Sequence, residues 1–535
     1  MKRFPLLLIL AASACSSSSQ PGKAPSPGSP RPTPTPSILA RIDPDVIEDT
    51  DTYVIRRLPK ARYIRVDDHH IRLPIVATPM EFFKEDDEYY YVSTPKRLPD
   101  EIALKKRARE QEAKPPTKEE AKKEESLVPL ADFEDLSPAR VSGRLKLEEI
   151  PNSGLPPRGM WRASFAVADV NGDGILDIVS PPARMGDGKL RIFLGDGKGR
   201  FSDWPLTFTD AGKPTTRFFL DYGGVAVGDI DGDGKMDIVC ASHNTGLTSL
   251  FGDGAGGFRI VKTGLPTRDF SAQSIALADA DGDGKLDLIA ARDVPPETAK
   301  SVDKTQVRVY LFRGVDKGWQ FKADGIVGGF YSQRLSTFDF DGDGRKDVLT
   351  GSHQAGALTL LWKNDGNGTF SPVSLPVIEI YSFHFATAPG TLGRDRAAAF
   401  ADSFYMSRNS PSTKAGGISV YAFRKGEWTR HRIWRKKDLA ATVSALAMGD
   451  LDGDGLDDVV FADSEQDRLR VLFQQPDGSF VEAAEAEEPA LNSPGECVRL
   501  ADIDGDGRLD ILLSKTVKSS GPTEPGGWNV YLNRR

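Results

Sequence analysis

The stretch "DVNGDGILD", Asp169–Asp177, carries acidic or amide side chains at its positions one, three, five and nine, around two glycines. Five related stretches follow it, at intervals of 60, 50, 60, 111 and 52 residues. The interval of 111 covers two repeats, and its middle, Tyr381–Phe404, keeps a strand pattern without the acidic residues. Seven repeats, each too small to bury its own apolar faces, predict a stacked or circular repeat fold.

Each repeat contains the pattern of four short strands. In the second repeat an alternating strand ("GVAVGD") precedes the acidic loop, and a short apolar strand ("DIVC") follows it. A third strand and a glycine-rich turn come next, and the fourth strands begin near Phe201, Phe258, Phe321, Phe370 and Phe480. Four antiparallel strands in each of seven repeats predict an all-β fold, a seven-bladed β-propeller over residues 144–535.

The two ends of the repeat region predict how the ring closes. The last repeat stops at its third strand, "WNVYLNRR". Upstream of the first repeat, Leu145–Pro156 is similar to the fourth-strand segment Phe258–Pro266. We therefore expect the N-terminal segment to supply the missing outer strand of the last blade, which would leave no open edge between the first and last blades.

The acidic loops predict cation binding. In "DIDGDGKMD" we expect the side chains of Asp229, Asp231, Asp233 and Asp237 to converge, with the carbonyl of Lys235 as a further oxygen. Oxygen ligands of high negative charge favour Ca²⁺ over Mg²⁺. The predicted ligands of the six loops, with the position-seven residue using its backbone carbonyl, are Asp169, Asn171, Asp173, Ile175, Asp177, Asp229, Asp231, Asp233, Lys235, Asp237, Asp279, Asp281, Asp283, Lys285, Asp287, Asp339, Asp341, Asp343, Arg345, Asp347, Asp450, Asp452, Asp454, Leu456, Asp458, Asp502, Asp504, Asp506, Arg508 and Asp510.

EF-hands and dockerin modules begin with a similar acidic pattern. An EF-hand needs a Glu at loop position twelve and a helix on each side, and dockerins are also helical. Position twelve here is Ser180, Cys240, Ala290, Thr350, Phe461 or Leu513, whereas position nine is Asp in all six loops. The strand-like flanks also disfavour both alternatives.

Together with the turns "GDGKGRF" (Gly195–Phe201), "GDGAGGF" (Gly252–Phe258) and "NDGNGTF" (Asn364–Phe370), these loops resemble FG-GAP/VCBS repeats, the blades of integrin α-subunit propellers and of many bacterial surface proteins. The resemblance covers roughly residues 144–535. It implies about six Ca²⁺ ions, held between first and second strands at one face of the propeller. Blade five lacks the ligands in "APGTLGRDR" and is assigned no metal. The ions are expected to be structural; direct contact with a ligand is the alternative.

The beginning of the chain predicts export and anchoring. Residues 1–15 combine Lys2 and Arg3 with an apolar run and small residues before Cys15, and "ASAC" resembles a bacterial lipobox. We therefore predict a lipoprotein signal peptide with lipidation at Cys15; an ordinary secretory peptide is the alternative. Residues 16–36 are rich in Pro and Ser and predict a disordered spacer. The expected location is the outer membrane or cell surface.

The next segments differ from the repeats. Residues 37–99 alternate apolar and polar residues and predict a small β-rich unit, in which His69 and His70 are expected at a solvated turn rather than at a metal. Residues 100–140 predict a charged helix and linker. A net charge of −8 without a basic domain disfavours nucleic acid as a partner, and three cysteines in 535 residues exclude a disulfide scaffold.

The connections on the face opposite the acidic loops carry aromatic and basic residues, which suit a sugar, an acidic polymer or a protein. The alternative is that the aromatics only fill the space between blades. No catalytic residue is identified, so we expect a binding or adhesion module for a glycan or protein ligand. The alternative is a polysaccharide lyase or related carbohydrate-active enzyme, with His243, His353 or a Lys as base. The predicted ligand face comprises Trp161, Arg162, Arg217, Phe219, His243, Arg268, Phe270, Tyr331, Arg334, His353 and Tyr381.

Overall fold

The computed structural model describes residues 46–49, 53–59, 64–67, 70–72, 81–85, 89–95, 135–162, 164–216, 218–243, 246–267, 270, 272–292, 308–315, 318–327, 334–351, 360–376, 382–407, 414–437, 443–517 and 525–535. Every regular element in these residues is a β-strand, and they contain no helix long and apolar enough to cross a membrane. The predicted signal peptide with Cys15, the spacer and residues 100–134 of the charged segment lie outside the described residues.

Six strands precede the repeats and belong to a compact unit of their own. They are β1 (Val46–Asp49), β2 (Tyr53–Pro59), β3 (Ile64–Asp67), β4 (His70–Arg72), β5 (Glu81–Glu85) and β6 (Tyr89–Pro95). Four of them form an antiparallel sheet in the order β1-β2-β6-β5, and β3 pairs with β4. This stretch therefore contains the β-structure that its alternating pattern predicts.

The other unit is a propeller with seven blades. Before and within blades one to four lie β7 (Arg140–Val141), β8 (Leu147–Glu149), β9 (Ala166–Ala168), β10 (Asp177–Ser180), β11 (Arg191–Gly195), β12 (Phe201–Asp203), β13 (Thr207–Asp210), β14 (Lys213–Thr215), β15 (Val225–Gly228), β16 (Asp237–Ser242), β17 (Gly246–Gly252), β18 (Gly257–Val261), β19 (Ala272–Ala278), β20 (Asp287–Arg292), β21 (Arg308–Val315), β22 (Gly318–Val327), β23 (Leu335–Phe338), β24 (Asp347–Thr350), β25 (Leu361–Gly366) and β26 (Thr369–Pro372). Blades five to seven contain β27 (Ser382–Leu392), β28 (Ala397–Ser407), β29 (Lys414–Arg424), β30 (Glu427–Lys437), β31 (Leu446–Gly449), β32 (Asp458–Asp463), β33 (Arg468–Gln474), β34 (Phe480–Ala483), β35 (Gly495–Ala501), β36 (Asp510–Lys515) and β37 (Gly527–Asn533).

In blades one to six the strands pair in sequence order, first to fourth. First strands of neighbouring blades lie against one another, β15 against β19 and β19 against β23 for example, so the first strands surround the axis of the ring. Second strands such as β16 and β36 are buried along their whole length. This burial explains why they read as continuous apolar runs rather than as alternating patterns, because another blade covers each face.

Seven hydrophobic clusters, one at each boundary between blades, hold the ring together. Val179 packs with Ile238 between blades one and two, and Val460 packs with Ile511 between blades six and seven. The cluster that joins Ile178 of blade one to Leu512 of blade seven closes the circle. Burying one such side chain contributes about 1.5–3 kcal/mol, so each boundary stabilises both of its blades.

The last blade is completed as predicted, because β8 pairs antiparallel with β37 as its fourth strand. The segment before β8 also contacts two further blades. Leu136 pairs with Arg435 at the outer strand of blade five, and β7 adds in parallel to β34 of blade six. Residues 135–149, the N-terminal strap, therefore run along the outer edges of blades five, six and seven.

A buried ionic cluster lies beneath the strap in blade six. Arg470 pairs with Asp463 (2.8 Å) and with Glu482, and all three side chains are almost fully buried. Arg140 of the strap reaches Glu482 at 3.1 Å and Glu488 at 3.3 Å. Burial, together with the neighbouring Glu482, raises the pKa of Glu488 to about 7 despite the two arginines.

Two features of the blades were not expected. The hairpin β13–β14 adds to the outer edge of blade two through a parallel pairing of β13 with β18. Blade five, which keeps the strand pattern without an acidic loop, has four strands of eleven residues each, longer than those of any other described blade. Its first two strands are joined directly by the short turn around Gly393.

Candidate functional site

Each acidic loop joins the first and second strands of a blade, and its first Asp shapes the turn. In loop two, Asp229 Oδ1 accepts hydrogen bonds from the backbone N–H groups of Gly232 (2.8 Å) and Asp233 (3.1 Å), and Oδ2 accepts one from Gly234 (3.0 Å). Gly232 and Gly234 have φ angles of +76° and +81°. Glycine adopts this left-handed conformation without strain, which explains both glycines of the motif.

The Asp at position nine fixes the loop to the blade. Asp237 is fully buried; its Oδ2 accepts the N–H of Ile230 (2.9 Å) and its Oδ1 accepts the N–H of Gly252 on the third strand (2.9 Å). The same pair of bonds recurs in all six loops. The position-nine residues are Asp177, Asp237, Asp287, Asp347, Asp458 and Asp510.

The third-strand partner of this Asp is Gly in blades one to three but an amide residue in blades four, six and seven. Asn533 Nδ2 donates to the carbonyl of Leu451 in the acidic loop of blade six (2.6 Å). Asn364 Nδ2 likewise donates to the carbonyl of Ala280 in the loop of blade three (3.0 Å). Gln474 Nε2 reaches the carbonyl of Thr391 in blade five (3.0 Å). These amides connect each loop region to the preceding blade.

The carboxylates at positions one, three and nine converge. In five loops one oxygen from each of these three side chains lies within 4.8 Å of the others: Asp229, Asp231 and Asp237; Asp279, Asp281 and Asp287; Asp339, Asp341 and Asp347; Asp450, Asp452 and Asp458; and Asp502, Asp504 and Asp510. In the first loop position three is Asn171, whose Oδ1 accepts the N–H of Asp173 (3.0 Å).

Position five departs from the prediction that four side chains converge. Asp233 is not part of the converged group, because its Oδ1 accepts the N–H of Lys235 (2.9 Å) and its Oδ2 pairs with the Lys235 ammonium (3.1 Å). In the same way Arg345 pairs with Asp343 and Arg508 pairs with Asp506. The carboxylates of Asp233, Asp343 and Asp506 are therefore each held by a backbone N–H and a neighbouring cation.

The converged groups carry an unfavourable concentration of negative charge. Burial, with a smaller contribution from the neighbouring carboxylates, raises the pKa of Asp237, Asp287, Asp347 and Asp510 to about 6, against the backbone hydrogen bonds that lower it. The pKa of Asp458 rises to about 8 because it is more deeply buried beside Asp452 and Asp454. A cation between the three carboxylates would offset both effects.

The donor set fits a hard cation. Every converging group is a carboxylate, and a carboxylate has about four acceptor positions, so the two or three backbone hydrogen bonds leave positions for a metal. Asp504 Oδ1 is buried and accepts no hydrogen bond within the described residues. An orphaned buried carboxylate oxygen inside a ring of acidic groups is the position in which a metal ligand is expected.

Basic residues from the ends of the propeller approach two of these loops. Arg144 of the N-terminal strap and Arg535 both pair with Asp452 in blade six. Arg534 pairs with Asp504 in blade seven and also with Glu148 of the strap (2.8 Å). The last two acidic loops are thus linked electrostatically to the segments that close the ring.

The structure corrects two residues of the predicted ligand face. Trp161 and Phe270 are buried, with only 7% and 5% of their surface exposed. Trp161 packs against Trp528 at 5.6 Å between ring centroids, and its Nε1 donates to the carbonyl of Arg158 (3.0 Å). Phe270 packs edge-on against Phe312. Both rings belong to the clusters between blades, as the space-filling alternative anticipated, and neither is available to a ligand.

The other predicted face residues have different positions. Phe219 is 58% exposed, and Arg162, Arg334 and His243 are partly exposed. Arg217, Arg268, Tyr331, His353 and Tyr381 lie outside the described residues. Cys240 and Cys497 are buried on their strands, so neither offers an accessible thiol.

Side chains from several blades meet at the start of the first strands, opposite the acidic loops. Arg162 Nε lies 3.4 Å from Glu496 Oε1, and Arg334 donates to the backbone carbonyl of Glu496. The Arg184 guanidinium lies over the Tyr222 ring at 5.4 Å from its centroid, and Tyr222 stacks on His243 at 4.9 Å. Gln273 Nε2 lies 3.3 Å from His243 Nδ1. The axial cluster is defined as Arg162, Arg184, Tyr222, His243, Gln273, Arg334 and Glu496.

Four members of the axial cluster, Arg184, Tyr222, Gln273 and Glu496, are absent from the predicted ligand face. Arg334 and Glu496 are 162 residues apart in sequence and meet because blades four and seven lie across the ring from each other. Only the closed ring brings them together, so no local pattern identifies Glu496. Arg184 follows a second strand, and this position was the sequence signal that it lies on the face opposite the acidic loops.

Comparison with known protein families supports the repeats that the sequence predicts. A sequence model described as FG-GAP-like repeat matches residues 183–240, 229–290 and 450–513. No curated protein is significantly similar in sequence. Similar solved structures include BBS1N in complex with ARL6DN, at 11% identity over 74% of this chain and 98% of that chain with a TM-score of 0.42.

Two fungal structures are also similar. Penicillium chrysogenum α-L-arabinanase complexed with arabinobiose has 10% identity over 58% of this chain and 92% of that chain, with a TM-score of 0.36. The Fusarium graminearum α-L-arabinofuranosidase complexed with an iminosugar inhibitor has 10% identity and the same coverages, with a TM-score of 0.37. Such low similarity carries no argument about function. The chain therefore contains FG-GAP-like repeats, and its described repeat region forms a seven-bladed β-propeller.

Proposed function

We propose that this protein is a calcium-stabilised, lipid-anchored β-propeller on the cell surface, which binds a glycan or protein ligand on the face opposite its acidic loops. The observation that carries the proposal is the axial cluster, in which polar, aromatic and charged side chains from five blades meet at one end of the inner strands. Sites built from several elements of a rigid scaffold are typical of binding proteins.

Calcium is proposed as a structural component. The carboxylates at positions one, three and nine would hold the ion, and the position-seven carbonyl would complete an all-oxygen set. The ion would neutralise a buried cluster of charge that otherwise opposes folding. Binding to the folded state alone contributes about 2.7 kcal/mol for each site at a free Ca²⁺ concentration one hundred times the Kd. This gain would fix the loops and keep the blades in register.

Anchoring and location are proposed from the sequence. The apolar run before Cys15 supports export and lipidation, and Ser16–Pro36 would hold the propeller away from the membrane. Ser16 after the lipidated cysteine, by resemblance to lipoprotein sorting, does not call for retention at an inner membrane. The proposed location is the outer membrane or cell surface, where a binding propeller would meet ligands outside the cell.

The test is a glycan array and a pull-down with the full chain, performed in calcium and in chelator. Saturable binding in calcium, weakened by Arg162→Gln but not by Arg259→Gln, would support the proposal. Arg259 is the matched control because it is an exposed arginine beside Asp231 of an acidic loop, remote from the axial cluster. Absence of any ligand would contradict the binding function, and turnover of a polysaccharide would instead favour the lyase alternative.

A further inference from the structure

The axial cluster contains more positive than negative charge, although the whole chain carries a net charge of −8. The guanidinium groups of Arg162, Arg184 and Arg334 surround Glu496. The acidic groups on the same face are Glu496 and Asp221, beside Tyr222. Three positive and two negative groups leave an excess of one positive charge opposite the acidic loops.

Glu496 is the internal partner of these arginines. Its side chain is largely buried, and this burial raises the pKa of Glu496 above its ordinary value even though three arginines lower it. Two of the arginines are not consumed by this one carboxylate: Arg162 keeps 37% of its side chain exposed, and Arg184 lies over the Tyr222 ring. Their remaining N–H groups suit a second anion, because guanidinium groups bind carboxylates in a planar, bidentate manner.

A flat surface and polar groups adjoin the cations. Tyr222 and His243 stack with an interplanar angle of 29°, and the Arg184 guanidinium lies over the Tyr222 ring at 5.4 Å from its centroid. Gln273 adds an amide beside His243. Aromatic rings next to cations and an amide match a pyranose ring that carries a carboxylate, because the ring can lie on the aromatic face while its hydroxyl groups bond to the amide.

We propose that the axial cluster binds a uronate residue of an acidic polysaccharide. The Arg162 and Arg184 guanidinium groups hold the uronate carboxylate, the Tyr222–His243 pair supports the sugar ring, and Gln273 bonds to a hydroxyl group. Glu496 sets the strength of the site by competing for the same arginines. The proposal rests on the proposed binding function and names the class of its ligand.

The test uses the full chain in calcium with three probes: hexagalacturonate, a hyaluronan hexamer and a mannuronate hexamer. Binding of at least one of them is expected, lost in its neutral methyl ester and weakened by added NaCl. Arg162→Gln and Arg184→Gln should each raise the Kd about tenfold, as for the loss of a charged hydrogen bond. Arg259→Gln removes the same charge elsewhere and should leave the Kd unchanged.

Glu496→Gln gives the test a second readout of opposite sign, because removal of the competing carboxylate should lower the Kd severalfold. Arg162→Lys keeps the charge without the planar fork and should weaken binding less than Arg162→Gln. The uronate site would be overturned if the wild-type chain bound none of the three probes, or if neither arginine variant changed the Kd. A ligand found by the broader array would leave the binding function intact in that case. If poly-glutamate bound with the same dependence on these residues and no sugar probe bound, the site would be assigned to an acidic protein and the sugar assignment would be overturned.

Discussion

Replacement of Asn533 by Ala tests the contacts that connect one blade to the next. Asn533 is fully buried at the end of β37, and its Nδ2 donates to the carbonyls of Leu451 (2.6 Å) and Leu509 (3.3 Å). The variant keeps the backbone N–H that Asp510 Oδ1 accepts at 2.7 Å. The acidic loop of blade seven is therefore expected to keep its shape while its amide link to blade six is removed.

The expected cost follows from the groups left behind. A buried carbonyl that loses its hydrogen bond costs about 1–3 kcal/mol, and the shorter bond to Leu451 should account for most of it. The longer bond to Leu509 contributes less, because hydrogen bonds weaken beyond about 3.2 Å. We therefore expect Asn533→Ala to lower the free energy of unfolding by about 2–3 kcal/mol.

The assay is urea unfolding of the full chain at a fixed, saturating Ca²⁺ concentration, followed by far-UV circular dichroism. Asn529→Ala on the same strand is the control, because it removes a partly exposed hydrogen bond to Glu149 (2.6 Å) and should cost less than about 1 kcal/mol. Asn364→Ala should repeat the larger loss, since Asn364 makes the corresponding link to Ala280. An Asn533→Ala midpoint equal to that of the control would refute the role of these amides.

Three other predictions concern the strap, the ionic cluster and the corrected ligand face. The pKa of Glu488 is about 7 in the folded chain against a reference value of 4.5, so between these pH values the folded chain keeps a proton that the unfolded chain releases. The free energy of unfolding should therefore fall by roughly 3 kcal/mol from pH 4.5 to 7 because of this group. Glu488→Gln should remove that part of the pH dependence, as measured by urea unfolding across this range. An unchanged slope would show that Glu488 does not titrate in this way. Arg470→Met leaves three buried carboxylates with Arg140 as their only arginine partner among the described residues, and should lower the free energy of unfolding by about 3–5 kcal/mol. Arg191→Met, at a more exposed pair with Asp187 (2.8 Å), should lower it by less than about 1 kcal/mol. Similar decreases in the two variants would contradict the importance of burial. Trp161→Ala should lower stability by about 3–5 kcal/mol and Phe219→Ala by no more than about 0.5 kcal/mol, measured by thermal unfolding, and a Trp161→Ala variant of wild-type stability would contradict the core position of that ring.

The ring, its loops and its closing strand could be predicted because their signals are local and repeated. The alternation of apolar and polar residues predicts the strands, and the spacing of Asp and Gly predicts the turn. The missing fourth strand of the last repeat predicts that another segment, β8 in the structure, completes the blade. Position nine was predicted to be a metal ligand, and the structure adds that Asp237 accepts a hydrogen bond from the third strand. A carboxylate at a loop end is required for both roles, so sequence alone does not separate them.

The remaining features depend on contacts between distant residues. The pairing of β7 with β34 joins residues more than 340 positions apart, and a two-residue strand has no periodicity of its own. Trp161 precedes a first strand, a position equally consistent with a ligand face and with the packing it makes against Trp528. The convergence of Arg334 and Glu496 depends on the closed ring. Tertiary geometry, rather than composition, determines these positions.

The acidic loops are proposed to be structural calcium sites. Calorimetric titration of the metal-free full chain with CaCl₂, paired with thermal unfolding in CaCl₂, in MgCl₂ and in EDTA, tests it most directly. We predict uptake of about six Ca²⁺ ions and a higher melting temperature in calcium than in magnesium or EDTA, because each site contributes binding free energy only to the folded state. No heat of Ca²⁺ binding and a melting temperature unaffected by EDTA would contradict it.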